Sequence, residues 1–324
     1  MKFKLKLTVY QVFLVLAFIT APNTWAHPEK NAKKVAILMF EGVQTIDFAA
    51  PFEVFNAARF EVFTVSPTGK AVSSAMGLSV NPKYSFSSMP AADIIIIPGG
   101  NIGQAMEDKA ITNWINQNEA NAVGILSICN GAFLLAQTGL LDGNQATTFH
   151  RAFESFERAY PEIELIRDQR YVDNGKIITS AGLASGIDSS LYLVSKLKGI
   201  EKAKAIALHL EYDWNLDQGF VRGKLADKHY PNWNKALFEG LNFQKTLGVG
   251  DELRWKSVFT VSGAQNAKQL NDIFKEQLEQ AKSWTKNEAE QWVKNTPDGT
   301  WQLFYELSPK SEDTFELSLY VQGI

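Results

Sequence analysis

The stretch Val123–Leu141 constrains the fold most, because an apolar run, a cysteine and a helix-forming segment follow one another in it. Val123–Ile128 is apolar and β-rich, which predicts a buried strand, and Gly131–Thr138 has the spacing of a helix. Between them lies Cys129, followed by Asn130 and a glycine that tolerate the dihedrals of a sharp turn. The pattern predicts a nucleophile elbow, in which the thiol faces the N–H groups at the start of the helix.

A second interpretation of Cys129 stays open at this point. It is the only cysteine in the chain, and a lone cysteine in an apolar stretch is often a small buried hydrophobic residue without a chemical role. The residues at the neighbouring strand ends must therefore help to distinguish a nucleophile from a core residue.

Buried strands alternate with helices from Val35 to Asp213, which is typical of a doubly wound, mostly parallel α/β sheet sandwiched by helices. Such sheets place their sites at the carboxyl ends of the strands, so Glu41–Asp47, Gly99–Gly100 and Cys129–Asn130 are expected to converge. The predicted elements are strands at Val35–Phe40, Phe60–Val65, Asp93–Pro98 and Gln145–Thr148, an excursion at Val72–Tyr84, an antiparallel pair at Tyr171–Ser180, and helices from Ile46 and at Ala105–Glu119, Arg151–Tyr160, Ser185–Lys198 and Glu201–Asp213.

The first 26 residues have the composition of a secretory signal peptide. Three early lysines precede the mostly apolar Val9–Thr20, and Thr24–Ala26 offers small residues before a cleavage point between Ala26 and His27. About a dozen apolar residues are too few to span a bilayer, which argues against the alternative of an uncleaved anchor. We therefore expect a periplasmic or secreted protein. Its single cysteine could form no intramolecular disulfide there.

Charge and histidine spacing exclude several classes of partner. Cleavage would remove three lysines and no acid, so the formal charge would change from −3 to −6. A mildly acidic chain without a Lys/Arg cluster is a poor candidate for binding nucleic acid or an anionic membrane. The four histidines have no ligand-like spacing, so no metal is predicted. Gly182–Gly186 lacks the Lys-Ser/Thr of a phosphate loop and is interpreted as a pocket wall, so no cofactor is predicted.

The chain changes character at Gln244, after which it contains neither cysteine nor histidine but four tryptophans. Residues 244–324 are predicted to form a small α+β accessory domain of unknown role, separate from an α/β domain of residues 33–243. The tryptophans are expected to build its core rather than a ligand cage. The predicted elements are a strand at Arg254–Val261, helices at Ala267–Ala281 and Glu288–Lys294, and a hairpin of Thr300–Leu307 with Thr314–Val321.

Residues 34–213 resemble the ThiJ/PfpI superfamily, and most closely its isonitrile hydratase and AraC-associated branch. The resemblance implies the flavodoxin-like, class I glutamine amidotransferase-like fold and a homodimer. Several motifs in the same order carry it. The matching segments are ILMFEGVQTIDFAAPFEVF, ADIIIIPGG, SICNGAFLLAQTGLLDGNQATT, VDNGKIITSAGLASGID and LHLEY.

Carried over by position, the resemblance implies that Cys129 is the nucleophile and Asp47 the acid that hydrogen-bonds its sulfur. Gly100 and Asn130 correspond to oxyanion-binding positions. Peptidase-like members have histidine directly after the cysteine, so Asn130 argues against protease activity. His150 follows the Ala-Thr-Thr segment one position late, and it is expected either to reach the site or to cap the helix that it precedes.

A glutamine amidotransferase would require a Cys-His-Glu triad. His209 and Glu211 supply a His-x-Glu pattern, but they fall inside the predicted helix Glu201–Asp213. Residues two apart on a helix point to different faces. This spacing argues against the triad.

The Cys129–Asp47 pair suggests the chemistry. A helix N-terminus favours a thiolate by up to ~2 kcal/mol, whereas an ionised carboxylate ~4 Å away opposes it by up to ~4 kcal/mol. A thiolate therefore requires that Asp47 keep its proton, so that the two groups share one proton and Asp47 can act as a general acid.

This chemistry fits a cysteine-dependent hydratase (a lyase) or hydrolase that acts on a small carbon–nitrogen or carbonyl electrophile. Two alternatives stay open. One is a non-catalytic ligand-binding or redox-sensing module, and the other is a chaperone or deglycase-like stress protein.

Overall fold

A computed structural model describes residue 28 and residues 31–216, 229–231, 233–250, 253–311 and 313–324. The predicted signal peptide and its cleavage site lie outside the described residues. Within these ranges no helix is both long and apolar enough to cross a membrane. The chain divides into two compact units, one of residues 1–142 and 173–214, the other of residues 143–172 and 215–324. The domain boundary between residues 243 and 244 stays a prediction.

Strands and helices alternate along the first two thirds of the chain. A short 3-10 helix, His150–Ala152, precedes the fifth α-helix. The elements are β1 (Lys34–Leu38), α1 (Thr45–Ala57), β2 (Glu61–Ser66), β3 (Val72–Ser73), β4 (Ser79–Val80), β5 (Tyr84–Ser85), β6 (Ile94–Ile97), α2 (Gly103–Glu107), α3 (Lys109–Glu119), β7 (Gly124–Ile128), α4 (Gly131–Ala136), β8 (Gln145–Ala146), α5 (Phe153–Ala159), β9 (Glu164–Leu165), β10 (Tyr171–Asp173), β11 (Ile177–Ser180), α6 (Ala184–Lys198) and α7 (Ile200–His209).

The central sheet has the strand order β10-β11-β7-β6-β1-β2-β5. The pairs from β11 through β7, β6, β1 and β2 to β5 are parallel. All four residues of Ile94–Ile97 are fully buried, because parallel strands with helices on both faces contact no solvent. This sheet confirms the doubly wound, mostly parallel fold predicted from the sequence. The strand order reverses between β1 and β6, which is the topological switch point of the sheet.

The helix predicted at Ala105–Glu119 is two helices, α2 and α3. The chain breaks at Asp108, whose backbone is extended and whose side chain accepts a hydrogen bond from the Ala110 N–H, so that it caps α3. An aspartate that bonds its neighbouring backbone competes with a continuous helix. The predicted excursion at Val72–Tyr84 contains the short antiparallel pair of β3 and β4.

A six-stranded sheet with one long helix forms the carboxyl-terminal part of the second unit. Its strand order is β12-β13-β17-β16-β15-β14, with antiparallel pairing throughout. Leu270 and Phe274 pack against Val261 and Leu317, and Trp284 and Trp301 lie in a second buried cluster. The elements are β12 (Asn242–Gly250), β13 (Arg254–Ser262), α8 (Ala267–Gln280), β14 (Thr285–Lys286), β15 (Trp292–Thr296), β16 (Gly299–Ser311) and β17 (Thr314–Gly323).

The prediction of a short helix at Glu288–Lys294 is wrong. The Asn287 side-chain oxygen accepts hydrogen bonds from the N–H groups of Ala289 and Gln291, which closes a turn before β15. Glu290 has a φ of 59°, a value outside the helical region. An Asx-type turn followed by aromatic and β-branched residues favours a strand pair over a helix.

Gln277, a buried residue of α8, binds the backbone of Asn234, which lies before β12. The Gln277 side chain accepts a hydrogen bond from the Asn234 N–H (2.8 Å) and donates one to its carbonyl oxygen (2.6 Å). Gln277 is 1% exposed. Both polar ends of the amide are therefore paired with backbone, as burial requires.

Candidate active site

Cys129 directly follows β7 and has a φ of 59°, which is rare for a residue other than glycine. Its N–H donates to the Ser180 carbonyl oxygen (3.0 Å) at the end of β11. On the other side lies Gly182, where an added Cβ would come within 2.5 Å of the Cys129 Cβ. The thiol therefore turns out of the sheet into a tightly packed place, and the residue is only 6% exposed. This is the elbow geometry that the sequence predicts.

Asp47 lies on α1 and is fully buried beside Cys129. One carboxyl oxygen accepts a hydrogen bond from the Gly99 N–H (3.2 Å), and the other accepts one from the Leu183 N–H (3.1 Å). The carboxyl also forms a hydrogen bond with the Cys129 thiol. Two backbone donors and the thiol hold the acid in one orientation, so the structure brings the predicted nucleophile and its acidic partner together.

The environment raises the pKa of both partners. Burial raises the pKa of Asp47 to about 6, although the hydrogen bonds from Leu183, Gly99 and Cys129 oppose this. Burial and the negative charge of Asp47 raise the pKa of the Cys129 thiol far above its usual range, against the opposing hydrogen bond from the Asn130 N–H. At neutral pH the pair has thus lost its first proton and retained its second. At neutral pH these directions place that proton on the thiol and the negative charge on Asp47, whereas the prediction from the sequence places the proton on Asp47 beside a thiolate. The shared proton stays a prediction.

Asn130 and Gly100 bond each other reciprocally. The Gly100 N–H donates to the Asn130 side-chain oxygen, and the Asn130 amide donates to the Gly100 carbonyl, both at 2.8 Å. Gly100 has a φ of 142°, and a Cβ there would lie 2.2 Å from the Gly42 carbonyl oxygen. The Gly100 N–H therefore already donates to the Asn130 side-chain oxygen. An oxyanion must displace this oxygen before it can accept from the Gly100 N–H. The oxyanion role of both residues stays a prediction.

His150 belongs to the second unit, where it is the first residue of the 3-10 helix before α5. The N-cap positions of these two helices are Phe149 and Ala152, and a capping role of the His150 side chain stays a prediction. Its edge-to-face ring contact is with Phe149, at 4.3 Å between centroids. A role for His150 in the Cys129 chemistry stays a prediction.

The predicted helix Glu201–Asp213 ends earlier than expected. It stops at His209, and Glu211 has a φ of 51°. His209 and Glu211 are therefore not two residues on one helix, and the helical-face argument against a Cys-His-Glu triad no longer applies. No group of three His, Cys, Asp or Glu side chains suited to hold a metal ion occurs in the part of the chain that the structure describes.

The backbone donors that orient Asp47 were not predicted from the sequence. Gly99 and Leu183 act through their backbone N–H groups, and the type of side chain does not indicate where a backbone N–H points. The one available signal was the glycine-containing segment Gly182–Gly186, interpreted as a pocket wall. Gly182 does lie against Cys129, and Leu183, with a φ of 52°, directs its N–H at the acid.

The site consists of a buried cysteine at a strand-to-helix turn and an acid that is hydrogen-bonded to it. Together with the doubly wound sheet, it defines a class of flavodoxin-like proteins in which a cysteine is paired with an acid. Residues 33–196 match the family model described as the DJ-1/PfpI family. The chain belongs to the DJ-1/PfpI family, which confirms the resemblance to ThiJ/PfpI proteins stated from its motifs.

Relatives in this family have different functions. Isonitrile hydratase of Pseudomonas putida is 33% identical over 183 residues, which cover 56% of this chain and 79% of that protein. The HTH-type transcriptional regulator CdhR of Pseudomonas aeruginosa is 27% identical over 223 residues, covering 67% of this chain and 63% of the regulator.

Solved structures share the fold. A ThiJ/PfpI family protein from Pseudomonas syringae superimposes with a TM-score of 0.54 at 26% identity, covering 64% of this chain and 85% of that one. DJ-1beta of Drosophila melanogaster superimposes with a TM-score of 0.51 at 23% identity, covering 56% of this chain and 100% of that one. At this identity the likeness supports the fold alone.

Proposed function

We propose that this protein is a cysteine-dependent hydratase or hydrolase of the isonitrile hydratase type that acts on a small carbon–nitrogen or carbonyl electrophile. The observation that carries the proposal is the buried, hydrogen-bonded pair of Cys129 and Asp47, which retains one proton at neutral pH. This chain is 33% identical to isonitrile hydratase of Pseudomonas putida over 79% of that protein, which supports the reaction type.

The pair can perform an isonitrile hydration in two steps. In the first, Sγ of Cys129 bonds to the isonitrile carbon while the shared proton passes through Asp47 to that same carbon, giving a thioimidate, R–N=CH–S. In the second, water adds to this carbon, the nitrogen takes a proton, and the C–S bond breaks. The products are the N-substituted formamide, R–NH–CHO, and the regenerated pair with its one proton.

Asp47 suits both steps because its pKa of about 6 lies near neutral pH. A group with such a pKa can accept a proton from the thiol and return it within one cycle. Asp47 itself is fully buried, so that its proton passes to the thiol or the substrate rather than to bulk solvent.

The test is turnover of a small alkyl isonitrile by the purified protein, followed by loss of the isonitrile and appearance of the formamide. We expect saturable turnover that Cys129→Ala abolishes and that Asp47→Asn lowers by about 100-fold or more, the usual contribution of a general acid–base group. Turnover that persists in Cys129→Ala would refute the cysteine mechanism.

A ligand-sensing function is the second candidate, because relatives include the HTH-type regulators CdhR and GlxA. This function predicts stoichiometric binding of a small molecule that survives Cys129→Ala, without turnover.

The proposal includes export and self-association. If the signal peptide is used, the mature protein recovered from a periplasmic fraction should begin at His27, and amino-terminal sequencing tests this. The homodimer implied by the family resemblance is tested by sedimentation equilibrium, in which a monomer mass at all concentrations would contradict it.

A further inference from the structure

A groove of about 490 Å³ lies within the second unit, and no step of the proposed chemistry uses it. Residues 165–168 form one side, and strands of the six-stranded sheet around Lys256 and Phe304 form the other. Neither Cys129 nor Asp47 lines it. Ligand pockets in proteins have volumes of about 300 to 1,000 Å³, so the groove can hold a small molecule.

The strand register sets an aromatic pair and a lysine side by side in this groove. Phe304 of β16 is directly opposite Tyr320 of β17, which is directly opposite Lys256 of β13. The two rings stack with their centroids 4.6 Å apart, and the Lys256 Nζ lies 5.0 Å from the Tyr320 centroid. Phe304 is nevertheless 39% exposed, so the ring of a ligand can cover it.

These side chains lie on the face of the sheet that α8 does not cover. Val261 and Leu317 pack against residues of α8, and they occupy alternate positions to Lys256 and Tyr320 on the same two strands. Successive side chains of a strand point to opposite faces. The groove is therefore separate from the core of the sheet domain.

Two charges of opposite sign line the groove, and neither forms an ion pair with any residue of the described ranges. They are the ammonium of Lys256 and the carboxylate of Asp168. Arg167, which also lines the groove, is already paired with Glu154 at 2.6 Å and with Glu157 at 2.8 Å. Lys256 and Asp168 thus remain available to a ligand.

The surroundings of Lys256 keep it cationic. A hydrogen bond with Tyr320 and the negative charges of Glu306 and Glu316 raise the pKa of Lys256. Neither of these two carboxylates lines the groove, and one oxygen of Glu306 accepts a hydrogen bond from the Tyr320 hydroxyl at 3.0 Å. The ammonium therefore carries its charge into the groove at neutral pH.

The start of β13 supplies further donors. Arg254 and Trp255, which precede Lys256, also line the groove. Trp255 is 4% exposed, and its indole N–H has no acceptor among the described residues. Buried donors normally have a partner, so this end of the groove is suited to an acceptor-rich group such as a carboxylate.

We propose that this groove binds a free α-amino acid with an aromatic side chain. Its carboxylate meets Lys256, its ammonium meets Asp168, and its ring covers Phe304. A zwitterion satisfies both charges at once, whereas an anion would leave Asp168 without a partner and a cation would leave Lys256 without one. The site does not include Cys129, so the inference goes beyond the proposed function and does not depend on it.

Three ligands that share one ring and differ in charge test the proposal. They are L-phenylalanine, 3-phenylpropanoate, which lacks the ammonium, and 2-phenylethylamine, which lacks the carboxylate. Isothermal titration calorimetry of the whole protein at neutral pH measures their affinities. We expect L-phenylalanine to bind about fivefold more tightly than either of the others, as a partly exposed ion pair allows.

Substitutions assign each charge to its residue. Lys256→Gln should remove the advantage of L-phenylalanine over 2-phenylethylamine, and Asp168→Asn should remove its advantage over 3-phenylpropanoate. Lys268→Gln removes an exposed lysine of α8 that does not line the groove, and it should leave both advantages unchanged. Phe304→Ala should weaken L-phenylalanine about fivefold through the lost ring contact.

Circular dichroism confirms that each variant is folded. Absence of binding at millimolar L-phenylalanine, equal affinities for the three ligands, or advantages that persist in Lys256→Gln and Asp168→Asn would overturn the proposal. Cys129→Ala should bind L-phenylalanine as the wild type does. Loss of binding in that variant would place the ligand at the thiol and refute the groove as its site, whatever the outcome of the isonitrile assay.

Discussion

Removal of the Asp47 carboxylate should change how the stability of the protein depends on pH. The pKa of Asp47 is about 6 in the folded protein against 3.8 for the unperturbed group. Because the folded pKa is the higher one, the folded state binds the proton more tightly, and stability falls as pH rises between these two values. Below pH 3.8 the carboxyl is protonated in both states and the burial cost is absent. Above pH 6 that cost is fully present.

The magnitude follows from the shift. About two pKa units correspond to about 3 kcal/mol, of which about 2 to 3 kcal/mol develops between pH 4 and pH 7. Asp47→Asn removes the titrating group. It also disturbs the hydrogen bonds from Gly99 and Leu183, but that loss does not depend on pH. The free energy of unfolding of the variant, relative to the wild type, should therefore rise by about 2 to 3 kcal/mol from pH 4 to pH 7.

The assay is urea unfolding of both proteins at several pH values in this range, followed by circular dichroism and by tryptophan fluorescence so that both units are observed. Glu53→Gln removes an exposed carboxylate from the same helix and controls for the change in net charge. A difference between variant and wild type that stays constant from pH 4 to pH 7 would refute the reasoning. A difference that falls with pH would mean that the site stabilises the carboxylate.

Four further substitutions test the packing. Gly182→Ala should cost about 3 kcal/mol and slow thiol alkylation, since its Cβ would collide with the elbow; Gly77→Ala, also at positive φ but with no atom near the new Cβ, should cost only about 1 kcal/mol. Asn130→Ala should lower the free energy of unfolding by about 1 to 2 kcal/mol, because it leaves the glycine amide opposite it without its acceptor. Gln277→Ala should cost about 2 to 3 kcal/mol through the unpaired backbone of Asn234. Chemical denaturation measures all four, and equal values for the two glycine variants would contradict the collision.

Strands with both faces buried were predictable because their sequences are continuous apolar runs, of which Ile94–Ile97 is the clearest. The convergence of Asp47 and Cys129 was predictable as well, since a parallel sheet gathers its strand ends at one edge. These inferences depend on local pattern and on one topological rule, and they needed no knowledge of packing between distant segments.

The rest depends on contacts that local pattern does not encode. The Leu183 N–H meets Asp47 across 136 residues of sequence, and no side chain signals such a backbone donor. The turn at Asn287 and the early end of α7 reflect local hydrogen bonds that outweigh helix propensity. The reciprocal bond of Asn130 to Gly100 likewise depends on how two loops approach each other.

The second unit is built from two stretches of chain that are separated in sequence, residues 143–172 and 215–324. A ribosome that adds about 5 to 20 residues per second needs about 8 to 30 s to advance from Val172 to Ile324. During this interval the first stretch has no carboxyl-terminal sheet to join. We therefore expect a fragment that stops at residue 243 to protect residues 143–172 less well from proteolysis than the whole chain does.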